Sequence, residues 1–419
     1  MDILTICRLA KSASRGLALA STIQKNQALQ FLAGWLEENN KEIIRVNEKD
    51  IDQAYKTGLN NAMVDRLTLT PDRVKSITSD LRKVIELPDP VGEVMEESVS
   101  PAGLKLRKQR VPLGVIAVIY ESRPNVTIDV ASLALKSGNS IILRGGSETL
   151  NTNRILVEGI QQSLADANIN KDVVQFIDDP DRGLVTSLLK MHQFVDILIP
   201  RGGAGLHTFC KENSLIPVIT GGIGICHLYV DAQVNQKKAI AIIRNSKIQR
   251  PTVCNALDTV LVNSKIADSF IPALIAELKK DGVSFRVDQQ TLLTLNLNKS
   301  DDLQAASAAD FDTEWLSLVL GIKMVSGLDE ALQHITAHST SHSDGILTNN
   351  QANADRFVRE VDSAAVYVNA STRFTDGSQF GLGAEAAVST QRLHARGPMA
   401  LREFTTYKWV GVGDYLIRN

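Results

Sequence analysis

Four cysteines in 419 residues, Cys7, Cys210, Cys226 and Cys254, share no Cys-x-x-Cys spacing. That excludes a disulfide framework or a zinc ribbon and makes a reducing cytoplasm the expected compartment. Long apolar runs are also missing. The longest, residues 115–120, falls far short of the roughly 18 residues needed to cross a bilayer, so no membrane partner is expected. Charge of one sign is absent as well: 45 Lys and Arg stand against 47 Asp and Glu, a net charge of −2, with the basic residues scattered. Nothing marks a nucleic-acid surface. No internal repeat or low-complexity tract is found. A dinucleotide fingerprint is lacking too, because Gly202, Gly203 and Gly205 lack the third glycine at the offset that G-x-G-x-x-G requires. What the chain does have is 44% hydrophobic residues. That is enough to bury about three-quarters of its unfolded surface, in one large or two to three ordinary domains.

Between Asp2 and Glu37 there is no acid, while Arg8, Lys11, Arg15 and Lys25 alternate with serine and alanine. A transit peptide shares that composition. The reading taken is a first helix, since Ile3, Ile6, Leu9, Ala10, Ala13, Leu17, Ala20 and Ile23 recur near the 3.6 period. Residues 1–88 read as almost wholly helical, with a helix start at Thr70-Pro71-Asp72. Residues 90–111 read as a hairpin around Ser100-Pro101-Ala102-Gly103, polar on both faces and so expected to project and pair elsewhere.

From residue 112 the pattern predicts strands at 114–120, 140–144, 173–177 and 195–200, with helices at 126–136 and 150–165 between them. Short buried strands separated by helices specify a parallel sheet covered on both faces. A second series follows: strands 226–230, 259–262, 318–325 and 365–369, with helices 236–244, 267–280, 328–338 and 353–361. The expected fold is therefore α/β, two doubly wound lobes. Residues 404–417 alternate like an edge strand, one expected to complete the flap of a neighbouring copy.

Cys254, in RPTVCNA at 250–256, follows a Pro-forced bend, and a loop entering a short helix there would stabilise a thiolate. The alternative is a small buried hydrophobe. Arg123 and Asn125 follow the first parallel strand, where ligands bind in open α/β sheets. Asn125 reads either as an oxyanion donor or as the N-cap of the helix from Val126. Arg144 ends the next strand before Gly145, Gly146, Ser147 and Glu148, within reach of a ribose or phosphate. His334, His338 and His342 recur every four residues. A helix running into a serine-rich loop explains that spacing as well as a metal would, and no metal is assigned.

These segments fall into a known order. VPLGVIAVIYESRPNVT at 111–127, GNSIILRGGSE at 138–148, QRPTVCNA at 249–256, NASTRFTDG at 369–377, FGLGAE at 380–385 and LHARGP at 393–398 resemble the gamma-glutamyl phosphate reductase family of the aldehyde dehydrogenase superfamily. The resemblance spans residue 111 to the C-terminus, and the helical N-terminal stretch is similar as well. It implies an NADPH-binding domain of residues 1–89, 112–230 and 380–403, a catalytic domain of 231–379, and an oligomerisation flap of 90–111 with 404–419. It implies Cys254 as nucleophile and Asn125 as side-chain oxyanion donor. Arg144, Ser147, Gly202, Gly203, Gly221 and Glu314 are implied at NADPH/NADP+, with Glu314 on the nicotinamide ribose although no Phe-Gly-Pro follows it. Arg123 is expected at the substrate phosphate, Arg373 at its α-carboxylate, and Ser371 beside it. The implied reaction reduces L-glutamyl 5-phosphate to L-glutamate 5-semialdehyde in proline biosynthesis. The implied partners are further copies, in a dimer or tetramer, and a transient complex with glutamate 5-kinase. Aldehyde-oxidising relatives carry a water-activating Glu before a Gly-Gly pair; here Thr220 precedes Gly221-Gly222.

Overall fold

The computed structural model describes residues 2–221 and 223–418. The chain forms two units, residues 1–220, 381–387 and 399–419, and residues 221–380 and 388–398.

In the first unit the N-terminal stretch folds as α1 (Ile3–Ala18), α2 (Thr22–Glu38), α3 (Asn40–Lys56), α4 (Asn61–Leu67) and α5 (Pro71–Glu86). Local chemistry starts several of them: Ser21 and Gln24 close a capping box on α2, and Thr70 caps α5, which has proline in its first turn. The hairpin strands are β1 (Val94–Val99) and β2 (Lys105–Pro112). Then come β3 (Val115–Tyr120), α6 (Asn125–Lys136), β4 (Ser140–Arg144), α7 (Leu150–Asp166), β5 (Val174–Phe176), α8 (Arg182–Leu188), β6 (Ile197–Arg201) and α9 (Ala204–Asn213). The four strands form a parallel sheet ordered β5-β4-β3-β6. All six residues of β3 are buried, as a central parallel strand demands. Ile3, Ile6, Cys7 and Ala10 of α1 pack into the core with Val115, Ala117 and Ile119, so α1 covers one part of this sheet.

The second unit contains β7 (Cys226–Val230), α10 (Gln236–Ile248), β8 (Leu257–Asn263), α11 (Ala267–Lys279), β9 (Ser284–Val287), α12 (Gln289–Thr294), β10 (Leu303–Ala305), β11 (Val319–Val325), α13 (Leu328–His338), β12 (Ser343–Leu347), α14 (Gln351–Glu360) and β13 (Ala365–Val368). Its seven strands run parallel in the order β10-β9-β11-β8-β7-β12-β13. Because β7 pairs with β8 and β12, residues 221–230 belong to this unit and not, as expected from sequence, to the first.

Two short strands, β14 (Ala387–Ser389) and β15 (Gly397–Met399), precede β16 (Thr405–Val412). β16 pairs antiparallel with β2 over eight residues, giving a flap ordered β1-β2-β16. The C-terminal strand thus completes the flap of its own chain, which corrects the expectation of a neighbour's flap. The flap is also less polar than its sequence suggested: Val94, Met95, Val99, Tyr407, Trp409 and Val412 are all exposed.

Candidate active site

In the first unit the chain order reverses between β3 and β6, and their carboxyl ends form the switch point at which open α/β sheets bind ligands. The loop after β3 holds Glu121, Ser122, Arg123 and Asn125. Ser122 is held at a φ of 47° by two hydrogen bonds, from its N–H and its hydroxyl, to the Glu148 carboxylate, each 2.7 Å. Arg123 is exposed and Asn125 half-buried. Asn125 lies inside α6, whose cap position is Pro124, so the N-cap alternative is set aside; its Nδ2 donates to Asp129 Oδ2 at 2.8 Å. Beyond β6, Gly203 is the cap residue of α9, with no side-chain cap, and its N–H donates to Glu121 at 3.1 Å. A Cβ on Gly202 would stand 2.4 Å from the Glu121 carboxylate, which would have to move aside. Beyond β4, Arg144 is buried, with two nitrogens donating to the carbonyls of Gly145 and Pro180 at 3.0 Å each. It braces two loops at the carboxyl edge of its strand. Ser147 is exposed in the turn that follows.

In the second unit the candidate residues stand at the amino edge of its own sheet. Glu314, Cys254, Gly224 and Thr340 precede β11, β8, β7 and β12, which are consecutive neighbours in the sheet. Parallel strands that start side by side bring these four short leads together. Of the four cysteines, Cys254 alone is not buried. Residues 251–256 are turns running directly into β8, so no short helix follows Cys254, contrary to expectation. Its backbone is held instead by close packing. The Cys226 thiol donates to the Cys254 carbonyl at 3.3 Å, and a Cβ on Gly224 would sit 1.6 Å from that same oxygen. Only glycine fits there. Gly221, expected at the cofactor, answers to a similar constraint, since its Cβ would meet the Val388 carbonyl at 2.2 Å; Gly222 lies outside the described residues.

Glu314 Oε1 accepts the Gly224 N–H at 2.9 Å, and burial pushes its carboxyl up to about 7. Thr340 Oγ1 donates to the Ile223 carbonyl and accepts from the Ile225 N–H, both at 2.9 Å. Beneath this edge, the wholly buried Lys247 faces Asp258 at 3.6 Å, and Asp258 accepts the Trp315 N–H beside Glu314. On the other side, Asn255 bridges to the loop after β13. It accepts from Arg373 Nη1, donates to the Thr375 carbonyl at 2.8 Å, and its carbonyl accepts from Thr372 at 2.7 Å. Arg373 also donates to Gln249 at 2.9 Å and interacts electrostatically with Cys254. Ser371 is buried, with its hydroxyl 2.8 Å from that of Ser246 on α10, so it shapes the Arg373 loop from within. His334 and His338 lie on α13, whereas His342 falls beyond the helix end and pairs with Ser343. Among the described residues no group of three His, Cys, Asp or Glu is arranged to hold a metal, and no helix is long and apolar enough to cross a membrane.

The family model described as "Aldehyde dehydrogenase family" matches residues 1–301. The gamma-glutamyl phosphate reductase of Serratia marcescens is 55% identical over 98% of this chain and 99% of its own. The crystal structure of the gamma-glutamyl phosphate reductase of Thermotoga maritima superposes with a TM-score of 0.97 at 45% identity, covering 100% of both chains. An acetylating aldehyde dehydrogenase from Geobacillus thermoglucosidasius, 18% identical with a TM-score of 0.71 over 100% of this chain and 97% of its own, shares the fold.

Proposed function

The chain belongs to the aldehyde dehydrogenase family, in its gamma-glutamyl phosphate reductase branch, and we propose that it reduces L-glutamyl 5-phosphate to L-glutamate 5-semialdehyde through a thioester on Cys254. The Cys254 sulfur attacks the acyl carbon, the C–O bond to phosphate breaks, and inorganic phosphate leaves. Asn125 and the Cys254 N–H stabilise the oxyanion, as the resemblance assigns them. NADPH, when bound, supplies hydride to the thioester carbon. The resulting thiohemiacetal collapses, returning the thiol and releasing the aldehyde. Arg373 serves the α-carboxylate and Arg123 the phosphate, since a guanidinium suits either anion.

The donor set of the first unit suits a dinucleotide. The start of α9, without a side-chain cap of its own and with Gly202 and Gly203 before it, presents backbone N–H groups suited to a pyrophosphate, which would take the place of the Glu121 carboxylate at the Gly203 N–H. Arg144, with no acid on its strand end, supports NADPH over NADH, and Ser147 stands in the adjoining turn. Glu314 is the acid for the nicotinamide ribose. The flap is the proposed contact between copies in a dimer or tetramer, glutamate 5-kinase is the proposed transient partner, and the cytoplasm is the proposed compartment.

The observation that carries this reading is that Cys254, alone among four cysteines, is only half-buried, on a backbone fixed by Gly224 and Cys226. Cys254→Ala should abolish NADPH oxidation with acyl phosphate supplied by a kinase, while replacement of Cys7, Cys210 or Cys226 leaves most of the rate. An active Cys254→Ala enzyme overturns the mechanism.

A further inference from the structure

We propose that Asp129 is a positioning residue that aims the Asn125 amide, fixing which of its two ends faces the ligand edge of the first unit. Asp129 reaches Asn125 through a single hydrogen bond. Asn125 Nδ2 donates to Asp129 Oδ2 at 2.8 Å, four residues along α6, and among the described residues neither side chain has another hydrogen-bond partner. An ionised carboxylate only accepts. The amide must therefore present its nitrogen to Asp129; its second N–H and its oxygen take fixed directions, and the side chain cannot turn over. With a neutral or apolar residue at 129, either end of the amide could face inward.

The bond has a built-in dependence on charge. Burial pushes the Asp129 carboxyl up to about 6, with Asp80 of α5 adding repulsion and Arg201, at the end of β6, opposing it. Above that value Asn125 holds a charge-assisted bond; below it the bond becomes a neutral one of roughly half the strength, and the protonated oxygen can itself donate to the amide carbonyl. Acid thus loosens or reverses the amide. Nothing else in the reaction asks for a carboxylate at this place, which makes Asp129 distinct from the groups named above.

This deepens the reading of Asn125 as oxyanion donor and relies on it for the kinetic effect, but the coupling itself can be measured without turnover. In protein labelled with 15N-asparagine, the Asn125 side-chain amide resonance, identified by its loss in Asn125→Ala, should shift with pH around a midpoint near 6. In Asp129→Asn that transition should vanish. An amide that does not titrate in the unmodified protein, or that titrates alike in Asp129→Asn, overturns the proposal. Kinetically, Asp129→Asn should lower kcat about tenfold, short of the roughly 100- to 1000-fold cost of deleting an oxyanion donor. It should also remove an acidic limb near pH 6 and leave the cofactor KM unchanged. Retention of that limb in Asp129→Asn contradicts the proposal. A titrating amide together with a fully active Asn125→Ala enzyme supports the aiming role of Asp129 and overturns the oxyanion assignment alone.

Discussion

His342 shows how one side chain ties stability to pH. It is wholly buried, its Nε2 has no partner among the described residues, and burial pushes its pKa down to about 4 from an ordinary 6.5. A folded value below the unfolded one means that unfolding favours the protonated form, so the contribution is intact above pH 6.5 and is lost as pH falls toward 4. Between pH 7 and pH 5 the loss is about 2 kcal/mol. Urea unfolding of His342→Gln at those two pH values should show a pH difference smaller by that amount; an unchanged difference contradicts the assignment. Residues of this kind were hard to read in the sequence. Cys254 stood out in RPTVCNA, and the motif order marked Glu314 and Asn125. The groups that hold them did not stand out: Gly224 supports Cys254 from 30 positions away, and Thr340 reaches Ile225 across 115. A buried polar partner far along the chain leaves no local pattern.

Elements were legible where a hydrophobic period ran long enough. The helices of the N-terminal stretch and the strands around β3 and β8 follow from their patterns. β12 does not, because SDGIL places Asp344 and Gly345 in a buried strand. Burial of Asp344 is offset by the His227 ring, whose Nδ1 lies 3.1 Å from the carboxylate, and by bonds from the hydroxyls of Ser339 at 2.6 Å and Ser363 at 2.5 Å, and they keep its carboxyl below the ordinary range. The flap carries the prediction at this scale. Removing residues 405–419 deletes the eight-residue pairing with β2 and exposes a long unpaired edge. Under the proposed role of the flap, light scattering should report dissociation to a smaller species with the two α/β units still folded by circular dichroism. An unchanged mass means that the flap does not join copies. The turn before β7 carries another. Thr220 leaves residues 219–221 without a carboxylate, so oxidation of the semialdehyde should need phosphate or arsenate to release the acyl group. Thr220→Glu should gain phosphate-independent oxidation. Comparable rates for the unmodified enzyme without either anion would mean that a carboxylate already activates water, and Glu314, bonded to Gly224 of this segment, is the candidate.

For the molecule as a whole, composition argued against membrane and nucleic-acid classes, and alternating strands and helices gave two α/β lobes. The boundary at 221–230 was misread because a strand announces itself in sequence without saying which sheet it joins. The location of the Cys254 edge was equally hidden. Ligands in open α/β sheets are sought at carboxyl ends, yet Cys254 and Glu314 stand at the amino edge of the seven-stranded sheet, assembled by strand order alone. In the proposed mechanism this edge forms a covalent acyl-enzyme that water does not cleave. Incubating the enzyme with L-glutamate 5-semialdehyde and NADP+ in rigorously phosphate-free buffer should oxidise one equivalent and stop, and mass spectrometry should then find the peptide containing Cys254 heavier by one glutamyl acyl group, with phosphate discharging it. Continuous turnover with no adduct on Cys254, or an adduct on another residue, contradicts the account.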